Sequence, residues 1–186
     1  ALKAGATFVY PTETCYGIGC DATCFDAVER VFELKDRPKG KPCILLFKDI
    51  EMLKHYAVLD SFTENLLQVY WPGALTVLLP VQPKVNISPL IIPDTGKISC
   101  RISPHPFIQK LFEHFDSPLV STSANVSGEP TIYESQKVLE TFLNKEKTAD
   151  IFVDAGDLPF TLPSTVIEIK NNKVQVFRQG GVRIDE

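Results

Sequence analysis

The sequence lacks the marks of several common functional classes. It has no G-x-x-x-x-G-K-S/T segment, so a nucleotide site here is not a P-loop. No serine stands in a G-x-S-x-G elbow, which argues against a serine-hydrolase triad. The five cysteines (Cys15, Cys20, Cys24, Cys43, Cys100) contain no C-x-x-C pair, and His55, His105 and His114 are remote from one another, so no zinc-ligand spacing is present. The bland reading of the cysteines is small, buried, inert side chains. The longest apolar runs, such as Cys43 to Phe47 and Ala74 to Leu79, fall far short of the ~20 residues of a membrane span. The opening Ala-Leu-Lys-Ala-Gly lacks the charged-then-apolar signal-peptide pattern. With an odd cysteine count, this favours reduced thiols and a cytoplasmic setting. Positive charge is not in excess either. Nineteen Lys and Arg against 23 Asp and Glu give a net charge of -4, which argues against a general polyanion surface.

What is present suits one globular domain over residues 1–186. Hydrophobic residues make up 44 % and charged residues 23 %, which excludes disorder, collagen and coiled coil. Thr7 to Tyr10 reads as a strand, and Thr12 to Asp21 as a loop or irregular strand. Asp26 to Lys35 follows helical spacing through Val28, Val31 and Phe32, with Asp26 as a cap and Pro38 ending it. Cys43 to Phe47 is a buried strand. Asp49 to Tyr56 and Thr63 to Tyr70 are helices, and Ala74 to Pro80 is a strand. Gln82 to Thr95 reads as a long surface loop. Ile98 to Ile102 is a strand, Pro104 to Phe115 a helix, Leu119 to Ser121 a short strand, Tyr133 to Leu143 a helix and Ile151 to Asp154 a strand. Val166 to Lys170 and Lys173 to Phe177 alternate around Asn171-Asn172, a hairpin signal. Strands and helices interleave, and the fold class is α/β with a mixed sheet and flanking helices.

Four segments carry chemistry. Lys35, Arg37, Lys39 and Lys41 put four cations into seven residues. They form either an anion site or a solvated helix end that complements the helix dipole. Thr12-Glu13-Thr14-Cys15-Tyr16-Gly17 follows a strand, where ligands of α/β sheets sit, and is otherwise an ordinary turn. Gly17-x-Gly19-x-x-Ala22 is not a dinucleotide fingerprint, because a polar segment precedes it and Asp21 would face the pyrophosphate. Ser121 to Gly128 offers hydroxyls, an amide and backbone N–H groups for an anion nest, or caps a helix. Arg178, at the end of a hairpin strand, and Arg101, at the end of another, taken singly read as surface residues.

In order, the segments PTETCYGIGCDA, ELKDRPKGKP, WPGALTVLLP, ISCRIS, PLVSTSANVSG, STV and FRQGG resemble the YrdC-like family of threonylcarbamoyl-AMP synthases, from Pro11 to Gly181. Lys-x-Arg followed far downstream by Ser-x-Asn is the specific part. The resemblance implies a twisted open sheet with a concave, positively charged cavity, and the single-domain form of the family. It implies that L-threonine, bicarbonate and ATP with Mg²⁺ give threonylcarbamoyl-adenylate and pyrophosphate. A separate threonylcarbamoyl-transferase complex then modifies tRNA. By the family pattern Lys35 and Arg37 hold the phosphates. Lys41, Ser123, Asn125 and Arg178 complete the ATP site. Thr14, Arg101, Ser123 and Ser164 face threonine, and Tyr16 walls the pocket. Many relatives carry Asn at Lys41 and a His where this chain has Leu46, so the threonine contact of that His is not expected here. No membrane partner is implied. The resemblance also permits a non-catalytic tRNA- or double-stranded-RNA-binding module, and a carbamoyl-handling fragment of a larger maturation factor. The net charge speaks against the RNA reading. The lack of cysteine-rich or acylphosphatase-like segments speaks against the fragment.

Overall fold

The computed structural model describes residues 1–38, 40–41, 43–143 and 147–184. Lys39 of the basic cluster lies outside them. Among the described residues nine strands form one sheet: β1 (Phe8–Pro11), β2 (Tyr16–Asp21), β3 (Ile44–Leu46), β4 (Leu75–Pro80), β5 (Lys97–Arg101), β6 (Leu119–Ser123), β7 (Ile151–Phe152), β8 (Thr165–Lys170) and β9 (Lys173–Arg178). Their order is β7-β1-β2-β6-β3-β5-β4-β8-β9. The sheet mixes parallel and antiparallel pairs, as in β3 with β5 and β3 with β6.

The period of two along each strand sorts the side chains. One face presents Ile18, Cys20, Val120, Leu45, Cys100, Val77 and Ile167, all fully buried. Helix α1 (Phe25–Leu34) covers it with Val28, Val31 and Phe32, while α2 (Ile50–Lys54) and α3 (Ser61–Tyr70) add Leu53 and Leu67. The opposite face carries two kinds of residue. Phe8, Tyr10, Leu46 and Leu119 are large and lie under Ile108 and Phe112 of α4 (Pro106–Phe112). Across β6, β3, β5 and β4 the register then sets Ser121, Ile44, Ser99 and Leu78 side by side. The hydroxyls there are short, and the sheet surface forms the floor of a cavity. Helix α5 (Ser135–Phe142) packs Val138 and Phe142 against Val9, Tyr16 and Ile18.

Several local expectations need correction. Residues 16–21 form a regular, wholly buried strand. Gly19 makes it possible, because a Cβ there would lie 1.8 Å from the Val120 carbonyl oxygen of β6. Gly17 and Gly19 are thus strand residues and open no helix. Asp26 sits in the first turn of α1, while Cys24 occupies the cap without a side-chain bond. Residues 82–95 are not a surface loop throughout: Ile87 and Ile91 are buried, and the Ser88 N–H donates to the Ala22 carbonyl. Strand β6 runs two residues further than expected, through Ser123. The Asn171-Asn172 hairpin holds, with φ of 51° and 56° at the two turn residues. That is the positive pair a type I′ turn requires. All five cysteines are free thiols. Among the described residues no helix is long and apolar enough to cross a membrane.

Candidate active site

Helix α1 ends in a way that decides the basic cluster. Lys35 is the last residue in helical conformation, and Asp36 turns left-handed with φ 49°. The Asp36 N–H donates to Glu33 O at 3.1 Å and the Arg37 N–H to Phe32 O at 2.8 Å. This bond pair is the Schellman termination. The reversal carries Arg37 back toward Lys35, so residues two apart share one space. Asp36 performs the turn, and Pro38 only follows it.

Lys35 is 1 % exposed, so it is not a solvated helix end. Its Nζ donates to the Ser123 carbonyl and, at 2.5 Å, to the Asn125 carbonyl. The Ser127 N–H returns a bond to Lys35 O at 2.8 Å. One side chain therefore ties the Lys-x-Arg segment to the Ser-x-Asn segment, some ninety positions away in sequence. Two of its three N–H groups are used, leaving one for a ligand. Burial first, then repulsion from Arg37, pulls the Lys35 pKa down to about 8. The Asn125 amide nitrogen donates to Val126 O and Glu129 O at 2.9 and 2.7 Å, which locks its loop. Lys41 reaches Ser127 Oγ at 3.4 Å, and Arg37 Nε donates to Lys41 O at 3.2 Å.

The opposite wall comes from strand ends. Arg101 is 4 % exposed at the end of β5, with Nε 3.4 Å from Glu13 Oε1. Arg178, at the end of β9, donates from Nε and Nη2 to Ser164 O and from Nη2 to Ser164 Oγ, at 2.9 to 3.1 Å. Burial, with the Arg101 charge behind it, lowers the Arg178 pKa from its ordinary value. Ser164 Oγ also pairs with Thr76 Oγ1 at 2.9 Å. Gly180 allows this arrangement. A Cβ there would meet Pro163 O at 2.0 Å, and its N–H donates to Thr165 Oγ1.

Lys35, Arg37, Lys41, Ser123, Asn125, Arg178, Thr14, Arg101 and Ser164 all line one cavity of about 550 Å³. Tyr16 does not. It alternates with Gly17 and so points through the sheet, where its hydroxyl donates to Gly156 O at 2.7 Å. Tyr133 is the tyrosine at the wall instead. Leu46 is also absent from the lining, being buried under α4, and β3 contributes Ile44. Sequence reasoning missed Thr76, Ser99, Thr161 and Phe177, which also line it. Register across distant strands gathers Thr76, Ser99 and Phe177, and the segment before β8 brings Thr161, and no local spacing marks that. Cys15 lines the cavity too and is not fully buried, and burial raises its thiol pKa. Among the described residues no group of three or more His, Cys, Asp or Glu side chains forms a metal cage.

A family model described as telomere recombination, covering Sua5, YciO and YrdC, matches residues 1–180. The chain belongs to the Sua5/YciO/YrdC family. It is 33 % identical over 175 residues to a Psychromonas ingrahamii protein named threonylcarbamoyl-AMP synthase, covering 92 % of this chain and 90 % of that protein. A Pyrococcus abyssi protein of the same name is also 33 % identical; all of this chain matches 53 % of it. The fold superposes on the crystal structure of P. abyssi Sua5 complexed with L-threonine with a TM-score of 0.87 at 31 % identity, over 97 % of this chain and 52 % of that one. It superposes on Escherichia coli YciO with a TM-score of 0.83 at 26 % identity, over 96 % and 85 %. The chain thus spans nearly the whole of some relatives and about half of others.

Proposed function

We propose that this protein is an L-threonylcarbamoyladenylate synthase, a nucleotidyltransferase that joins L-threonine, bicarbonate and ATP. The observation that carries the reading is the convergence of five cationic side chains and several hydroxyls on one cavity, with Lys35 stitched to the Ser-x-Asn loop. The relatives named for this activity support it, as does the relative solved with L-threonine.

The chemistry follows from charge. Triphosphate, bicarbonate and the threonine carboxylate repel one another in water. The threonine amine attacks the bicarbonate carbon and water leaves, giving a carbamate. A carbamate oxygen then bonds to the α-phosphorus as the bond to pyrophosphate breaks. No protein nucleophile is consumed, so catalysis is alignment plus stabilisation of phosphoryl charge. Lys35 and Arg37 hold the phosphates, with Lys41, Ser123, Asn125 and Arg178 along the nucleotide. Thr14, Arg101 and Ser164 face the amino acid. Magnesium comes with ATP on its phosphate oxygens, as that ion commonly does. The volume lies in the range of about 300–1,000 Å³ typical of small-molecule sites. A nucleic-acid duplex needs an extended basic face, whereas these cations converge in one cavity. The product would pass to a threonylcarbamoyl-transferase complex acting on tRNA.

The test is pyrophosphate release by purified protein with ATP and Mg²⁺. The expected rate depends on L-threonine and bicarbonate together. Release that is indifferent to either one overturns the reading.

A further inference from the structure

Glu13 is an acid set beside this cavity's cations, at Arg101, without a role assigned so far. A carboxylate next to Arg101 weakens the local positive field. For anion binding that is a cost, so electrostatics alone gives no reason for it. Its geometry gives one. Glu13 Oε1 and Arg101 Nε are both sealed from solvent, have no hydrogen-bond partner within the usual limits, and lie 3.4 Å apart. Each is the other's electrostatic compensation. The second oxygen, Oε2, accepts from Ser103 Oγ at 2.5 Å. Ser103 is fixed in turn: its Oγ accepts from the His105 N–H at 3.2 Å, and its carbonyl accepts from Gln109 Nε2 at 2.5 Å. The turn carrying Glu13 is closed by Thr12, whose Oγ1 donates to Cys15 O at 2.7 Å and accepts from the Thr14 N–H at 3.2 Å. The β1–β2 turn and the loop after β5 thus clamp the inner edge of one guanidinium.

We propose that Glu13 is a positioning residue: it grips Arg101 by Nε and aims the two terminal nitrogens into the cavity as a fork for a ligand carboxylate. The inference rests on the reading of Arg101 as a threonine-side residue. A planar fork matches a carboxylate only when held in one orientation, which is what a second, fixed carboxylate supplies. Thr14 follows Glu13 directly and also lines the cavity, so the same clamp sets its place.

Glu13→Gln separates orientation from charge because the two effects have opposite signs. If Glu13 only tempers the field, removing its charge tightens threonine binding. If it positions Arg101, the variant raises the KM for L-threonine by about tenfold or more, with the KM for ATP within about twofold. The preference for L-threonine over its uncharged amide also shrinks. Glu13→Asp recovers part of the loss, and Ser103→Ala shows a smaller shift in the same direction while keeping both charges. An unchanged or lowered threonine KM, or parallel rises for ATP and threonine, overturns the proposal. Calorimetric titration of wild type and Glu13→Gln with L-threonine reads the same difference without turnover. A wild type that binds threonine but releases no pyrophosphate therefore sinks the reaction and leaves Glu13 decided. A wild type that does not bind threonine sinks both.

Discussion

The two walls of the cavity are built on different principles. The wall made by residues 35–41 and 123–127 is held through backbone carbonyls: Lys35 Nζ bonds to Ser123 O and Asn125 O, and the Ser127 N–H to Lys35 O. The wall made by Thr14, Arg101, Ser164 and Arg178 is held by strand register and by side chains, with Glu13 and Thr76 as partners and Arg178 bonded to both the carbonyl and the hydroxyl of Ser164. The first is a knot between two loops, where losing one lysine frees both segments. The second is a set of strand ends on a rigid sheet, where losing one side chain leaves the backbone in place.

That difference ranks the expected effects. Lys35→Ala and Arg37→Ala each lower the turnover rate with all substrates present by at least about tenfold, or roughly 1.4 kcal/mol of transition-state binding. Lys35→Ala is the worse of the two, because it also removes the Lys35 donor from the Asn125 carbonyl and leaves Ser123 O only the Asn125 N–H. Both proteins stay folded by circular dichroism, since the sheet and its helices do not depend on this knot. If both variants turn over at near wild-type rates, the knot is scaffold only. At Thr14, Arg101 and Ser164 on the strand-end wall the expected signature is confined to threonine, as for Glu13.

A smaller effect comes from pH. Lys35 is protonated below about 8 and loses its charge above it, because burial and the Arg37 guanidinium disfavour the cation. Phosphate binding needs the charge. The kcat/KM for ATP is therefore level below about pH 8 and declines as pH rises through it. In an Arg37→Gln variant the repulsion is gone and the inflection moves upward. A wild-type profile flat to pH 10 contradicts the assignment of Lys35 to the phosphates.

The same contrast explains what the sequence made legible. Helix α1, the hairpin turn at Asn171-Asn172 and the mixed sheet follow from periodicity and turn chemistry, which are local. Lys35, Arg37, Ser123 and Asn125 stood out because each pair lies within three residues and belongs to a motif that is recognisable in order. Arg101 and Arg178 read as ordinary surface residues on their own. Their partners Glu13, Ser164 and Thr76 come from the β1–β2 turn, the segment before β8 and β4, and only the strand order 1-2-6-3-5-4-8-9 brings them together. Tyr16 was misplaced for the complementary reason. Its strand was read as a loop or irregular strand, and without a regular strand there is no alternation to say that Gly17 faces the cavity and Tyr16 faces away. Ile87 and Ile91 were hidden by the prolines around them, which suggested a loop but did not say that it folds onto the core.

The central claim is that one cavity aligns mutually repelling anions by fixed cations, with the triphosphate on the knotted wall, the amino acid at Thr14, Arg101 and Ser164 of the strand-end wall, and Arg178 reaching the nucleotide from that same wall. A crystal structure with ATP and L-threonine bound tests it most directly. The account predicts triphosphate oxygens within hydrogen-bond reach of Lys35 Nζ and Arg37, and the threonine carboxylate on the Arg101 fork. Ligands seated elsewhere on the surface, or threonine on Lys35 and Arg37 with the triphosphate on Arg101, would contradict it.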